Sequence, residues 1–358
     1  MRYEIDSDIT IAETLPGAFY HDAAVFDSCR ERVFAKSWQW LGETNAVAQT
    51  AAVSPRTILP GLLNEPVFLA KDAIGTLRCF PNVCTHRGNV LVAQDGAAKD
   101  IRCGYHSRRF DFSGRMTFMP GFESARDFPR ECDHLKELAL GTWRGFAWAA
   151  LERAPQFNDV IAPMQIALDG IWPEGWAFDP ASRREYTIHA NWALYVENYL
   201  EGFHIPYVHP ALSRAVDVKA YRTQCFPWAV RQTAWACDGD LAFAEGAIRG
   251  ESGQIAADYW WIYPNLMLNV YPWGISVNVV LPEAIGRTKV IFESYVANPS
   301  KRTGGAGGAL DTVEMEDEAI VEAVQRGTAS RFYGRGRYSP TQEQGTHHFH
   351  RLLAAALA

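Results

Sequence analysis

"CTHRGNVLVAQDGAAKDIRCGYH", residues 84–106, holds two mixed pairs: Cys84 and His86 stand one residue apart, Cys103 and His106 two apart, with sixteen residues between the pairs. Each pair follows a short apolar run, LRCFPNV or DIR, and each has a glycine beside or within it, Gly88 and Gly104. The pattern predicts two finger-like loops that present their side chains to a common point. Three readings compete for it. Zinc accepts two thiolates and two imidazoles, but zinc sites usually pair Cys with Cys and His with His, and here every pair is mixed. Four unrelated buried residues would not need this regular spacing. In a two-iron, two-sulfur cluster, two histidines can replace two cysteines on one iron, and neutral nitrogen ligands raise the reduction potential above that of an all-thiolate cluster.

Outward from these loops, residues 41–150 are short runs of Val, Leu and Phe broken by Gly, Pro and Asn, which predicts a small antiparallel β domain. Residues 1–40 carry apolar positions at helical spacing (Phe26, Cys29, Val33, Phe34) and predict a short helical segment that packs on a second domain over 151–358, the border marked by a Pro-rich passage at about 155–173. The expected fold class is α+β. With 358 residues the chain is long enough for two cores, and 48% hydrophobic against 21% charged residues is the balance of a folded protein. A net charge of -7 speaks against nucleic acid or an anionic membrane as a partner, since both require a concentrated basic face. The amino terminus MRYEIDSDIT is acidic and lacks the basic and apolar regions of a secretory signal, so a cytoplasmic location is expected. Seven cysteines, an odd and scattered number, read as metal ligands plus buried thiols rather than a disulfide framework. The uncharged stretch 259–282 is long enough for a membrane span, yet Pro264, Pro272 and three asparagines interrupt it, and the alternation from Ile275 to Leu281 predicts two strands turning at Pro272-Trp273-Gly274.

A second constellation lies in ENYLEGFHIPYVHP, residues 197–210. A helix is expected from about Trp192 to His204 and should stop at Pro206, so that His209 swings toward His204 from the following loop. Non-haem iron sites take two histidines and one carboxylate on one face of the metal and leave positions open. In the helix expected over about 310–326, the last in the chain, Asp317 falls on the stripe of Val313, Ile320 and Val324, whereas Glu314, Glu318 and Glu322 read as solvated charges. By pattern alone, Asp317 is equally well a partly buried acid with some other partner. TGGAGG at 303–308 fails the dinucleotide-loop pattern and reads as a flexible connector.

CTH followed after sixteen residues by CGYH resembles the Rieske motif, and NYLEGFHIPYVHP and EDEAIVEAVQRGTASRFYGRGR resemble the iron-binding and carboxy-terminal segments of Rieske non-haem iron oxygenase α subunits. The resemblance runs from LPGAFYHD to the helix at 310–326. It implies Cys84 and Cys103 on one iron of a [2Fe-2S] cluster, His86 and His106 on the other, and His204, His209 and Asp317 on a mononuclear Fe(II). Asn89 and Tyr105 stand where respiratory Rieske proteins have a further disulfide, which places the chain with the oxygenase branch. Gly104 and Arg108 depart from that branch, which reads Cys-Pro-Tyr-His and then a Trp.

The resemblance further implies a helix-grip catalytic domain and a head-to-tail homotrimer in which Glu201 bridges His204 to His106 of a neighbouring subunit. Glu197, one turn earlier, reads as an ordinary helix-surface acid or as a group that tunes the same network. Electrons come from NAD(P)H through a separate flavin and iron-sulfur reductase, which Arg108, Arg109 and Arg115 could dock. The implied reaction is oxidation of a C–H bond of a small molecule with O2. Glu in NYLE resembles the branch acting on choline, glycine betaine and carnitine, and Trp260, Trp261, Tyr263, Tyr271 and Trp273 are the aromatic residues placed to cage an ammonium group. An aromatic-ring hydroxylating dioxygenase and an electron-transfer-only Rieske protein are the alternatives.

Overall fold

The computed structural model describes residues 3–171 and 176–358; the first two residues of the acidic amino terminus and the end of the Pro-rich passage lie outside the described residues. Two compact units form: Ala35–Ala154, and a second that joins the residues up to Phe34 to Pro155–Ala358. The amino-terminal segment therefore belongs with the carboxy-terminal unit, and the borders fall at 34 and 154 rather than at 40 and 150.

The unit Ala35–Ala154 is antiparallel β throughout. Strands β1 (Gln39–Glu43), β10 (Phe146–Ala150) and β9 (Ala139–Trp143) make one sheet; β4 (Leu77–Pro81), β3 (Glu65–Lys71), β2 (Ala52–Ile58) and β5 (Gly96–Ala97) a second; β6 (Ile101–Arg102), β7 (Arg109–Phe110) and β8 (Met116–Phe118) a third. Phe68 and Phe80 face each other across β3 and β4 with rings 5.6 Å apart, and with Phe110 and Met116 they form the core on which the two Cys-His loops rest. An opposed aromatic pair of this kind adds about 0.5–1.5 kcal/mol beyond its buried area.

In the second unit, α1 (Ala23–Cys29) is capped by Asp22, whose carboxylate accepts from Ala24 N at 2.8 Å, and it runs into a π-helical turn over Arg30–Phe34. After α2 (Phe157–Ala167) comes a seven-stranded antiparallel sheet in the order β11 (Ala177–Ile188), β17 (Arg287–Val296), β16 (Gly274–Ala284), β15 (Leu266–Tyr271), β14 (Ile255–Ile262), β13 (Ala229–Ala236), β12 (Val216–Phe226). Strands β12 to β17 are a plain meander, and β11 adds to its far edge. Helix α3 (Trp192–Tyr199) packs against β16, α6 (Leu310–Thr328) and α7 (Gln344–Leu357), which is the expected helix-grip arrangement. Trp192, 1% exposed, sits edge-on to Phe34 at 4.7 Å and to Phe349 at 5.7 Å, so one side chain ties the amino-terminal turn and α7 to α3.

Several expectations need correction. Pro206 does not end a helix: α3 stops at Tyr199, and Pro206 sits in the first turn of the short helix α4 (Ile205–Val208), where its missing N–H has no bond to lose. A second short helix, α5 (Leu212–Ala215), leads into β12. The stretch 259–282 holds parts of three strands, because Tyr263–Asn265 makes a turn of its own between β14 and β15. Both faces of β16 are buried, Ser276 and Asn278 included, so its polar face is not a solvent face. TGGAGG is packed rather than flexible: a Cβ on Gly307 would lie 2.3 Å from Trp273 Nε1. Helix α7 follows α6 and had no counterpart in the sequence reading. Among the described residues no helix is long and apolar enough to cross a membrane.

Candidate functional site

The two Cys-His loops are one turn used twice. Cys84 N donates to Asn89 O at 2.8 Å and Gly88 N to Cys84 O at 2.9 Å; Cys103 N donates to Arg108 O at 2.8 Å and Ser107 N to Cys103 O at 3.1 Å. The fifth residue of each turn is left-handed, Gly88 at φ 71 and Ser107 at φ 60. Gly88 is thus the glycine the turn favours, whereas Gly104 is not at a positive φ. Cys84 and Cys103 are both buried and within hydrogen-bonding reach of each other, and the rings of His86 and His106 lie 4.8 Å apart. Burial raises the Cys84 thiol. It acts on Cys103 too, but the N–H groups of Tyr105 and His106 and the Asn89 amide, 3.7 Å from its sulfur, outweigh it and leave that thiol lowered. His106 Nδ1 is buried with no partner in the protein. Two thiols, two imidazoles and an orphaned ring nitrogen fit a [2Fe-2S] cluster with histidines on one iron. Cys29 and Cys79, by contrast, are pushed up to about 12 by burial and are inert.

Arg108 is not a docking residue. It is 1% exposed, donates to Thr85 Oγ1 at 2.6 Å and to Asp133 Oδ1 at 3.1 Å, and lies over the rings of Phe122 and Phe128. It locks the first loop to the chain beyond the second. Arg109 is half-buried beside Phe118, and Arg115 is exposed.

In the carboxy-terminal unit, His204, His209 and Asp317 come together, with ligand-type atoms all within 4.8 Å of one another. Asp317 Oδ1 is 3.0 Å from His209 Nε2 and 3.5 Å from His204 Nε2. The other nitrogens are held by carboxylates: His204 Nδ1 by Glu201 Oε1 at 2.6 Å, His209 Nδ1 by Glu316 Oε2 at 2.7 Å. Burial lowers the His209 imidazole, but its bonds to Asp317 and Glu316 more than reverse this and leave it above the ordinary histidine value. Two Nε2 atoms turned to one carboxylate, with both Nδ1 atoms engaged, are a donor set suited to one iron. Glu201 reaches His204 from an irregular turn after α3, where its carboxylate also accepts from the backbone N–H groups of Phe203 and His204. The contact is as expected, but helix spacing does not create it.

Sequence reasoning missed three neighbours of this set. Glu316 is one, although it adjoins Asp317. Asn198 donates to Asp317 Oδ1 at 2.6 Å. Glu314, read as a solvated charge, is 4% exposed and accepts from Tyr195 OH at 2.8 Å. Glu318 is half-buried, and Glu322 accepts from His189 N, so neither is simply solvated. Glu197 is no surface acid either: it accepts from Tyr20 OH at 2.8 Å and approaches His350 Nε2 to 3.0 Å as a charge contact without hydrogen-bond geometry. It ties the amino-terminal segment to α7 and stands apart from the metal-type set.

A cavity of about 100 Å³ opens beside the triad. Its aromatic wall is Tyr195, Tyr199, Tyr221, Tyr259, Tyr271 and Phe292, of which only Tyr271 was expected. Trp273 stacks behind Tyr271 at 5.3 Å, Trp261 packs edge-on to Phe349, Trp260 stacks on Phe226 from the opposite face of β14, and Tyr263 lies beyond the strand end. Gly202 lets Tyr221 approach: a Cβ there would stand 2.7 Å from the ring.

Comparison with known proteins agrees across the chain. The Rieske [2Fe-2S] domain model matches residues 37–129 and the ring hydroxylating alpha subunit (catalytic domain) model residues 176–358. Chloroplastic choline monooxygenase of Arabidopsis thaliana is 30% identical over 98% of this chain and 85% of its own length. The carnitine monooxygenase oxygenase subunit of Escherichia coli (strain K12) is 30% identical over 96% of this chain and 93% of its own. Among solved structures, the quaternary ammonium Rieske monooxygenase CntA in complex with L-carnitine superposes with a TM-score of 0.75 at 25% identity, covering 98% of this chain and 97% of that one. Naphthalene 1,2-dioxygenase from Rhodococcus shares the fold, with a TM-score of 0.73 at 18% identity over 96% and 93% of the two chains.

Proposed function

We propose that this chain, which belongs to the Rieske oxygenase family of ring-hydroxylating α subunits, oxidises a C–H bond of a small quaternary ammonium compound. It is the oxygenase component of a multicomponent system and draws electrons from a separate reductase. The single observation that carries the substrate reading is the wall of five tyrosines beside the triad, since π faces attract a cation that cannot donate a hydrogen bond. The names of the choline- and carnitine-oxidising relatives point the same way.

In this reading Cys84, His86, Cys103 and His106 would hold the [2Fe-2S] cluster, and His204, His209 and Asp317 would hold the iron. When bound, the cluster supplies single electrons and the iron activates dioxygen toward a C–H bond. The remaining side chains position and protect. Glu201 and Glu316 fix the tautomer and tilt of the two imidazoles by accepting from Nδ1–H. Asn198 holds the Asp317 carboxylate in place by donating to Oδ1. The tyrosine wall keeps bulk water away from the substrate carbon. Were His106 Nδ1 to hold the cluster, its Nε2 would be left for a neighbouring subunit, and a head-to-tail ring, a trimer or a multiple of it, would bring Glu201 there. Glu201 would then serve two subunits at once.

Product analysis with a surrogate reductase, on a panel of quaternary amines and aromatic acids, tests the proposal. Oxygen uptake matched to oxidised ammonium product is expected. Turnover confined to the aromatic acids would overturn it in favour of the aromatic-ring dioxygenase.

A further inference from the structure

The cavity beside the triad offers acceptors and π faces but no positive side chain: among the described residues that line it there is no lysine or arginine. Two of its buried acceptors have no partner in the protein. Glu314 is 4% exposed, with Oε2 taken by Tyr195 and Oε1 free; Gln232 is 1% exposed, with its amide donating to Tyr199 O at 2.6 Å and Oε1 free. A buried acceptor left unpaired costs on the order of 1–3 kcal/mol, more if it is charged, and is kept where a ligand completes it. Glu314 lies one helical turn before Asp317, so on α6 the two carboxylates share a face. Glu201, Glu316 and Asp317 already supply three acids against one divalent ion. A carboxylate on the substrate would find no counter-ion here, whereas a cation would find one.

We infer that Glu314 is the counter-charge for the ammonium group of the substrate, and that the preferred substrate is a small organic cation without a carboxylate. The inference rests on the ammonium reading above and narrows it: a hydroxylated or simple alkyl ammonium ion fits, and a zwitterionic betaine does not. Gln232, which lines the same cavity, carries the other unpaired acceptor. Burial holds the Glu314 carboxyl well above the usual carboxylate range despite the Tyr195 bond, and a cation seated beside it would oppose that shift.

The test is ligand binding by calorimetry to anaerobic protein loaded with iron and cluster. The probes are choline, its uncharged carbon isostere dimethylbutanol, and glycine betaine. Wild-type protein should bind choline at least about tenfold tighter than either of the others. Glu314→Gln should weaken choline about 10- to 100-fold and leave dimethylbutanol unchanged within about threefold, and Glu314→Asp should fall between. Betaine bound as tightly as choline would overturn the inference while leaving the ammonium reading standing. Failure of every ammonium probe to bind would sink both. Should Glu314→Gln not retain its cluster absorbance, the wild-type series and Glu314→Asp decide the matter alone.

Discussion

Removing Glu316 should loosen iron without replacing any of the three residues proposed to hold it. The carboxylate meets His209 Nδ1 at 2.7 Å, while Nε2 of the same ring points at Asp317. A carboxylate of this kind orients the imidazole and raises its basicity, and its loss typically lowers metal affinity about 10- to 100-fold, or about 1.4–2.7 kcal/mol. Glu316 is a third exposed, so water screens part of the effect, and Glu316→Ala should fall at the lower end, about 10- to 30-fold. Glu316→Gln retains an oxygen that accepts from Nδ1–H but loses the charge, and should cost about 3- to 10-fold. Anaerobic competition for Fe(II) against a chromophoric chelator, on protein that keeps its cluster absorbance, gives both numbers. Affinity within twofold of wild type in Glu316→Ala would refute the claim that this acid sets the ring.

Three further outcomes are expected. Arg108→Leu strands Asp133 and Thr85 and should destabilise the cluster-bearing unit by about 3–5 kcal/mol, read as loss of visible absorbance at lower denaturant; an unchanged midpoint contradicts the buried ion pair. Gly202→Ala forces Tyr221 off the backbone and should lower kcat/KM for the ammonium substrate at least about tenfold with iron content unchanged; full activity would show that the ring does not shape the cavity. His347 and His348 on α7 are lowered by burial, so the unfolded chain takes up their protons first. The stability they give is present above about pH 6.5 and is lost as pH falls through their folded values, by at most about 1.4 kcal/mol per group per pH unit. Denaturation midpoints at pH 7.5 and 5.5 should differ accordingly, and the paired substitutions His347→Gln and His348→Asn should flatten the difference.

What the sequence made legible was local. The four residues proposed to hold the cluster sit in two turns of identical hydrogen bonding, and the fixed spacing of a turn survives in the one-dimensional string. His204 and His209 flank one short helix, so their proximity was legible too, although Pro206 proved to open that helix rather than close the previous one. Helix α6 misled because its stripe logic is inverted. Met315, Ile320 and Val324 are exposed, and the helix turns Glu314, Asp317 and Val321 inward. A polar face goes inside when the facing helix offers Tyr195 and Asn198 as donors, and apolar periodicity cannot register that. The tyrosine wall was missed for a related reason. Its members come from α3, β12, β14 and β15, brought together by the meander, while the tryptophans that dominate the composition of β14 fill the space behind it. Strand alternation places neighbours on opposite faces but does not say which face borders the triad.

The central claim is that one polypeptide holds an iron-sulfur cluster and, through separate ligands, a further iron. Counting iron and acid-labile sulfide after anaerobic reconstitution tests it most directly. Three irons per two sulfides are expected for the wild-type chain and two per two for His209→Ala; two per two in the wild type, or three retained in the variant, would contradict it.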